Sequence, residues 1–432
     1  MDTVNYVHHE LEKTGYYDVQ KQPQVHLWSK TEQNLTVNGA AINARPMAYS
    51  PSVQVKADLT LASNDGCDAD DYSSNMAGNI ALIKRGSCSL AQKSVLAASA
   101  GADAAIVYNN VDGPFSGTLG GPTSDLGPYA PIVGISMADG EDLIKQMSGN
   151  LNLAEALSAD LYINSEMENR TTYNIIAQTK ESDSDNVVTI GSHSDSVEAG
   201  PGINDNGSGT ISNLAVARAL TNFSVNNAVR FAFWTAEEFG LLGSKHYIDS
   251  LDEEELDKIR LYLDFDMIAS PNYALMIHDG DGSALNVTGP EGSGEIKHMF
   301  EEYFDSQDLP HIPAAFDGRS DYAAFIDKGI PAGGVATGAE GIKSEEEAQM
   351  FGGEPRIAYD ANYHGAGDTT DNLNHEAFLI NSKAAAYAVG KYADSLESIP
   401  VREKTTAVPK RTVHKQGSGN GKTGCFHSLV SE

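Results

Sequence analysis

Histidine, aspartate and glutamate residues recur where apolar runs end, and together they could gather around a cation. These residues are His193, Asp205, Glu237, Glu238, Asp266 and His364. Acids crowded into one crevice repel one another strongly unless something cationic lies among them. Imidazole and carboxylate groups without cysteine are ligands that suit zinc with an open coordination position. The residue types therefore predict a zinc site that keeps room for a reacting molecule.

Buried strands must position these side chains. Three apolar runs, Val187–Ser192, Ala228–Thr235 and Ile259–Phe265, have the composition of strands that are buried on both faces. Predicted helices alternate with these runs at about 209–221, 240–250 and 295–304. The alternation predicts an α/β domain with a largely parallel sheet. In such a sheet the carboxyl ends of the strands line one crevice, so the residues that follow the strands converge there.

Each motif taken alone also has an interpretation without a metal. His193 and Asp195 form a His-x-Asp pair, which is usually a surface or helix-cap pair. Glu237 and Glu238 suit a solvated helix start, because acids are favoured in a first turn. The glycine-rich loop 200–209 suits a turn, and its glycine spacing does not match the dinucleotide-binding fingerprint. The order of the motifs and their shared position after strands favour the metal site.

Composition limits the possible partners. The chain of 432 residues has 60 acidic and 29 basic residues, which gives a formal charge of −31. A surface of that charge repels phosphate backbones, so we expect no nucleic-acid partner. The sequence contains no apolar run of about 18 residues, so we expect no membrane span. We expect a monomeric globular protein.

The segments around the candidate residues resemble one enzyme family. HSDSVEAGPGINDNGSG, FWTAEEFGLLGS, FDMIASPN, GRSDYAAF and YHGAGDT are similar, in this order, to motifs of the co-catalytic zinc aminopeptidases of the aminopeptidase Y type. The likeness extends over about 166–395 and includes the secreted leucine aminopeptidases of filamentous fungi. Residues 48–160 resemble the protease-associated domain that many members carry as an insertion.

The resemblance implies the zinc exopeptidase fold, a three-layer α/β fold in which helices flank a mixed, mostly parallel sheet. A small, β-rich α+β protease-associated domain would be inserted in it. The expected divisions are the N-terminal part of the peptidase domain at 1–47, the insertion at 48–160, the zinc peptidase domain at 161–398 and a basic tail at 399–432. The composition of the tail predicts that it is disordered.

The resemblance also implies the metal ligands. They would be Asp205 as a bridge between two Zn²⁺ ions, His193 and Asp266 on one ion, and Glu238 and His364 on the other. Asp264 competes with Asp266, because residues two apart on a strand lie on the same face. The family motif and the position at the strand end favour Asp266.

Further residues would carry out the reaction. Glu237, beside a ligand but not one itself, would act as general base and then as general acid. Asp195 would accept a hydrogen bond from the ring N–H of the first histidine ligand. Tyr363 would donate a hydrogen bond to the oxyanion, and Asp317 and Arg319 would lie near the substrate.

These roles imply hydrolysis of the first peptide bond in peptides that have a free N-terminus. The same resemblance implies a preference for leucine and other large apolar residues. One alternative is a catalytically silent, receptor-like homologue, but such proteins lose ligands and every ligand position is filled here. The other alternative is a metallocarboxypeptidase or dipeptidase of similar fold, which assays with blocked and unblocked peptide termini would distinguish.

Signals for the cellular compartment conflict. No apolar stretch follows Met1, so the chain as given contains no signal peptide. Sequons for N-glycosylation nevertheless occur at Asn34, Asn169, Asn206, Asn222 and Asn286. We expect Asn206 to stay unmodified, because sugar inside the metal loop would block the site. The other four are candidate glycosylation sites, and we expect sugar on at least one of them in a secreted protein whose leader is absent from the chain.

Cysteine is scarce, with three residues in the chain. Cys67 and Cys88 lie in one loop-rich segment and could form a disulfide, which would leave Cys425 unpaired. We expect this disulfide, because it fits the extracellular location that the resemblance implies.

Overall fold

The computed structural model describes residues 2–111, 113, 115–149 and 156–402. The predicted tail from residue 403 onward, and with it Cys425, lies outside these residues. The described chain divides into two compact units. The main unit comprises residues 2–26 and 170–402, and the inserted unit comprises the described residues from 27 to 169.

Helices and strands alternate along most of the main unit, and the elements of both units are numbered together in chain order. The helices are α1 (Asp2–Glu12), α2 (Leu90–Ser99), α3 (Met137–Gly149), α4 (Gly209–Leu220), α5 (Leu242–Asp249), α6 (Glu253–Lys258), α7 (Ser293–Ser306), α8 (Tyr322–Ile326), α9 (Glu345–Phe351) and α10 (His375–Asp394). The strands are β1 (Tyr17–Val37), β2 (Ala40–Ile42), β3 (Arg45–Ala48), β4 (Val53–Leu61), β5 (Ile80–Lys84), β6 (Ala104–Tyr108), β7 (Gly117–Thr118), β8 (Ile132–Ile135), β9 (Ser158–Thr179), β10 (Asp183–His193), β11 (Asn227–Trp234), β12 (Ile259–Phe265), β13 (Met276–His278), β14 (Ile312–Ala314) and β15 (Ala332–Ala336). Among the helices of the described residues, none has both the length and the apolar character needed to cross a bilayer.

A mixed sheet forms the centre of the main unit. Its strand order is β14-β13-β15-β12-β10-β11-β9. Strands β11, β10, β12 and β15 run parallel to one another, whereas β9 is antiparallel to β11 and β13 is antiparallel to β15. The three apolar runs of the sequence are the central strands β10, β11 and β12. Their central position explains why they are apolar throughout and not alternating.

Side chains of the sheet alternate between two hydrophobic cores. On β11, Phe231 and Phe233 belong to one core, and Ala232 and Trp234 belong to the other. Buried residues of α1, α4, α7 and α10 complete the first core, and those of α5, α6 and α8 complete the second. Helices therefore cover both faces of the sheet, and the predicted three-layer fold is confirmed.

The inserted unit has its own sheet. The Ser158–Ile163 part of β9 pairs antiparallel with β4, and β4, β5, β6 and β8 follow in parallel order. Strand β3 pairs antiparallel with β8, and β1 pairs antiparallel with β2. Ala97 of α2 and Leu143 of α3 lie in the two hydrophobic clusters of this unit. The predicted β-rich α+β domain is confirmed.

The point at which the units divide differs from the boundaries expected from composition. Strands β1 and β9 each continue across the division, which falls after His26 and after Asn169. The expected boundaries, after residues 47 and 160, follow changes in turn content. A continuous strand contains no turn to mark a division, so composition places the boundary elsewhere.

Cys67 and Cys88 form the predicted disulfide in the inserted unit. Their Cα atoms lie 5.8 Å apart, and the two residues are 21 positions apart in sequence. Closing a loop of this length stabilises a domain by about 3 kcal/mol, according to the chain-entropy model. The buried Lys93 ammonium lies 3.3 Å from the Cys67 sulfur. Because Cys67 follows β4 and Cys88 precedes α2, the disulfide joins the loop after β4 to the segment before α2.

Candidate functional site

The candidate metal ligands lie at the carboxyl edge of the main sheet. His193 ends β10, Asp266 directly follows β12, and the pair at 237–238 follows β11. These three strands are parallel, so their carboxyl ends lie at the same edge. Asp205 and His364 come from loops that reach this edge. The structure thus brings together side chains from five separate segments of the chain.

The ligand atoms form two groups that share Asp205. In the first group, Nε2 of His193 lies 3.2 Å from Oδ1 of Asp205 and 3.3 Å from Oδ1 of Asp266. In the second group, Nε2 of His364 lies 3.2 Å from Oδ2 of Asp205 and 3.0 Å from Oε2 of Glu238. The atoms of each group all lie within 4.8 Å of one another. Because each Asp205 oxygen faces a different group, its carboxylate has the arrangement of a bridge.

Buried atoms without hydrogen bonds support a cation at both groups. His193 Nε2, Asp266 Oδ1 and Glu238 Oε1 are buried and form no hydrogen bond with the described residues. Burying a polar atom without a partner costs free energy, and more so when it is charged. A cation at each group would give these atoms a partner. Nitrogen and oxygen ligands without sulfur suit zinc, so the residues present fit this metal.

Several carboxyl groups of the site have shifted pKa values. Burial, with the charge of Asp205 adding to it, raises the pKa of Glu238 to about 7. Burial likewise raises the pKa of Glu237 well above its usual range. Although burial opposes the charge of Asp205, the neighbouring His193 and His364 hold its pKa well below the usual range. A metal ion would favour the ionised form of the carboxyl groups and lower their pKa values.

Asn206 connects the loop containing Asp205 to the end of β12 through side-chain hydrogen bonds. Its side-chain amide donates a hydrogen bond to the Phe265 carbonyl and accepts one from the Gly209 N–H, at 3.0 and 2.9 Å. A Cβ atom at Gly209 would lie 2.0 Å from the same carbonyl oxygen, so only glycine fits there. Asn206 is 1% exposed, and its amide nitrogen is already bonded. This burial supports the expectation that the Asn206 sequon stays unmodified.

Asp195 has different partners from those expected. Its carboxylate accepts hydrogen bonds from the backbone N–H groups of Glu237 and Glu238, at 3.1 and 3.3 Å. Nδ1 of His193 lies 3.2 Å from the backbone oxygen of Asp195 and 3.7 Å from its carboxylate. The nearer acceptor for the His193 ring is therefore the carbonyl. The Asp195 carboxylate instead holds the turn that carries Glu237 and Glu238.

Tyr363, Arg319 and Asp317 lie together beside the second ligand group. Nη2 of Arg319 donates a hydrogen bond to the Tyr363 hydroxyl at 3.2 Å, and its Nη1 pairs with Glu340 at 2.9 Å. The Tyr363 ring stacks on His364 with 3.9 Å between the ring centroids. Asp317 accepts a hydrogen bond from the backbone N–H of Arg319 at 3.1 Å. These contacts place the Tyr363 hydroxyl next to a fixed cation.

Asp264, the alternative ligand, belongs to neither group. It is buried, and its Oδ1 accepts a hydrogen bond from the Tyr262 hydroxyl at 3.0 Å. Sequence reasoning missed two residues that contact the ligands. Ser320 donates to Oδ2 of Asp266 at 2.8 Å, and Asp368 accepts from the backbone N–H of Asp205 at 3.1 Å. Ser320 lies in the motif GRSDYAAF and Asp368 in the motif YHGAGDT. A motif does not show which distant segment each of its side chains contacts.

Comparisons with known proteins agree with the fold and identify the family of the chain. The profile of Peptidase family M28 matches residues 174–389, and the profile of the PA domain matches residues 55–143. The chain is 61% identical to a protein of Aspergillus oryzae named probable leucine aminopeptidase 2, over 99% of this chain and 87% of that one. It is 60% identical to the probable leucine aminopeptidase 2 of Aspergillus fumigatus, over 100% of this chain and 86% of that one.

Solved structures of two bacterial enzymes are similar over nearly the whole chain. The aminopeptidase from Aneurinibacillus sp. strain AM-1 has a TM-score of 0.71 and 28% identity, covering 93% of this chain and 90% of that one. BSAP, a zinc aminopeptidase from Bacillus subtilis, has a TM-score of 0.69 and 25% identity, covering 93% of this chain and 90% of that one. The resemblance noted from the motifs is thereby confirmed. From the matched profiles and the extent of these similarities, we conclude that the chain belongs to peptidase family M28 and carries a PA domain.

Proposed function

We propose that this protein is an aminopeptidase that uses two zinc ions to remove leucine and other large apolar residues from peptides with a free N-terminus. The observation that carries the proposal is the pair of ligand groups sharing Asp205, with the carboxyl group of Glu237 beside them. The names of the fungal relatives support the leucine preference. The titles of both bacterial structures support aminopeptidase activity, and that of the Bacillus subtilis enzyme supports zinc.

Glu237 is the residue best placed to move protons. When bound, zinc would supply Lewis acidity to the peptide carbonyl and to the attacking water. The Glu237 carboxyl group is buried and belongs to neither ligand group, so it is free to take a proton from that water. It then gives a proton to the leaving amine. Asp195 fixes its position through the Glu237 backbone N–H.

Tyr363 is positioned to donate a hydrogen bond to the substrate. The Arg319 guanidinium can only donate hydrogen bonds, so the Tyr363 oxygen accepts from it. The hydroxyl proton of Tyr363 is then free to point away from Arg319, towards a carbonyl oxygen that gains negative charge during the reaction. A donor aimed at developing charge lowers the barrier of acyl transfer.

The excess of acids at the site favours substrates with a free amine. A peptide's α-amino group has a pKa of about 7.7–8.0 and is largely protonated near neutral pH. Carboxylates that are not taken up by metal, such as Asp317, can pair with this ammonium group. Recognition of the terminal charge would confine cleavage to the first peptide bond.

N-acetylation of the substrate is expected to lower kcat/KM by about 10²–10³-fold, because it removes the ammonium charge that the acids of the site would pair with and adds bulk where the peptide chain should end. The measurement compares leucine 4-nitroanilide with its N-acetyl form. A leucine-first peptide with an amidated C-terminus is the control and should be cleaved normally. Equal hydrolysis of the acetylated compound would contradict the proposal, and loss of activity on amidation alone would indicate a carboxypeptidase.

The alternative functions fit the site less well. A silent, receptor-like homologue would be expected to lack ligands, yet the described residues include all five ligand side chains and Glu237 in one cluster. A carboxypeptidase would need a cation for the substrate's terminal carboxylate. Arg319 lies beside the second ligand group, but it already pairs with Glu340 and donates a hydrogen bond to Tyr363.

We also propose that the enzyme is secreted and glycosylated. The disulfide between Cys67 and Cys88 supports an oxidising compartment. Four sequon asparagines are exposed in the structure: Asn34, Asn169, Asn222 and Asn286. That the protein is a monomer and has no nucleic-acid partner stays a prediction.

Removal of N-linked sugar is expected to lower the mass of the protein secreted by a fungal host. Peptide mapping should find sugar on at least one of the four exposed asparagines and none on Asn206, whose amide is buried. The peptide that contains Asn206 serves as the internal control. Secreted material without any sugar, or with sugar on Asn206, would contradict this part of the proposal.

A further inference from the structure

Asp368 accepts hydrogen bonds from three consecutive backbone N–H groups of the loop that carries the bridging ligand. Its backbone oxygen accepts from Ile203 at 3.2 Å. Its carboxylate oxygens accept from Asn204 at 2.8 Å and from Asp205 at 3.1 Å. Asp368 itself is 2% exposed. One buried residue therefore fixes the backbone of this loop up to and including Asp205.

The loop depends on such a partner because its backbone is irregular. Asp205 has φ −105° and ψ 88°, which is not a helical conformation, although α4 begins only four residues later. Asn204 and Asp205 are both buried. Buried N–H groups outside regular structure need an acceptor, since leaving one unpaired costs free energy. Asp368 supplies the acceptors that regular structure does not.

Asp368 also lies on the loop that carries the second histidine ligand. It follows His364 by four positions, and its N–H donates to the Gly365 carbonyl at 3.1 Å, which closes a turn between them. Asp368 therefore joins the loop of Asp205 to the loop of His364. The ligand atoms carried by these two loops, Oδ2 of Asp205 and Nε2 of His364, lie 3.2 Å apart.

The other ligand group has separate supports. His193 is the last residue of β10, and Asp266 directly follows β12, so the sheet itself positions both. Ser320 holds Oδ2 of Asp266 at 2.8 Å. Only Asp205 is common to the two groups. A change at Asp368 should therefore affect one group more than the other.

We infer that Asp368 is a positioning residue for the metal site formed by Asp205, Glu238 and His364, and that it controls the affinity of this site for zinc without touching the metal. The inference rests on the two-zinc site proposed above. Residues that hydrogen-bond to metal ligands typically change metal affinity by about 10–100-fold when they are replaced. Here Asp368 holds both the backbone of Asp205 and the loop of His364, whereas the sheet positions His193 and Asp266, so the effect should be selective for one of the two ions.

The test is a zinc titration of metal-stripped protein by calorimetry, with a competing chelator for tight sites. Asp368→Asn keeps the size of the side chain but replaces one of its two acceptor oxygens with a donor. We expect it to weaken one zinc-binding step by about 10–100-fold and to leave the other step as in the control. The matched control is Asp371→Asn, the same change at an exposed position of the same loop. Equal weakening of both steps, or of neither, would overturn the inference.

A double-mutant comparison assigns the affected site. His364→Ala removes a ligand of the Asp205–Glu238–His364 group, so one zinc-binding step should be left. Adding Asp368→Asn to this variant should not weaken the remaining step, because Asp368 acts through the site already lost. A further loss comparable to that in the single variant would show that Asp368 supports the whole loop and would contradict the inference.

The design separates failures of folding and of the proposed function from failure of the inference. Thermal unfolding of the metal-free proteins shows whether Asp368→Asn folds at the assay temperature. If it does not, Asp368→Ser, which is smaller and keeps one acceptor, is titrated with the same expected selectivity. The number of zinc ions in the unmodified protein tests the two-zinc proposal. The difference between the variant and Asp371→Asn tests the role of Asp368.

Discussion

Replacing Glu237 with glutamine is expected to lower kcat by about 10²–10⁴-fold while both zinc ions stay bound. Glutamine has the size of glutamate and keeps the backbone hydrogen bond to Asp195, but it cannot accept a proton from water. The residue belongs to neither ligand group, so metal binding does not depend on it directly. The measurement pairs kcat on leucine 4-nitroanilide with zinc content by elemental mass spectrometry.

The adjacent residue offers a matched control for this prediction. Glu238→Gln is the same chemical change one position later, on a side chain whose Oε2 lies 3.0 Å from Nε2 of His364. It is expected to weaken zinc binding, because glutamine carries no charge for the metal. Retention of zinc by Glu238→Gln together with its loss from Glu237→Gln would reverse the two assignments.

Asp205→Asn is expected to disturb both metal sites at once. The two carboxylate oxygens of Asp205 lie 3.2 Å from Nε2 of His193 and 3.2 Å from Nε2 of His364, so each group takes one oxygen. Asparagine offers one oxygen and one N–H group, and the N–H group repels a cation. Zinc affinity should fall by more than the roughly 100-fold that follows the loss of a partner outside the ligand set. Activity should fall with the metal content.

Zinc titration of three proteins checks this prediction. His364→Ala removes a ligand from one group alone and should abolish one binding step, whereas Asp205→Asn should weaken both. Asp371→Asn, exposed and outside both groups, should bind as the unmodified protein does. Two intact binding steps in Asp205→Asn would show that the carboxylate is no bridge.

The sequence predicted the fold and most of the site because buried parallel strands are easy to recognise. Their apolar runs are continuous, and the residue that follows each run lies at the carboxyl edge of the sheet as a matter of geometry. His193 and Asp266 could be found in this way. His364 follows no strand directly, and its place in the site depended on the likeness of its motif to a known family.

Contacts between loops could not be predicted from the sequence. The Asp195 carboxylate accepts hydrogen bonds from the backbone at 237–238, at 3.1 and 3.3 Å, and lies farther, at 3.7 Å, from the histidine two residues before it. Asp368 holds the backbone of Asp205, which lies 163 positions away. Neither contact has a sequence period or a spacing of its own, because both depend on how two irregular segments fold against each other. The division between the two units could not be predicted either, because it falls inside the continuous strands β1 and β9, where no turn marks it.

The alternation of side chains along β11 limits how the length of the chain can change during evolution. Phe231 and Phe233 fill one core while Ala232 and Trp234 fill the other. Gain or loss of one residue within this strand would exchange the two faces and at the same time shift Glu237 along the sheet edge. We therefore expect insertions and deletions among relatives to avoid β11 and to accumulate in exposed turns such as that at Asn38 and Gly39.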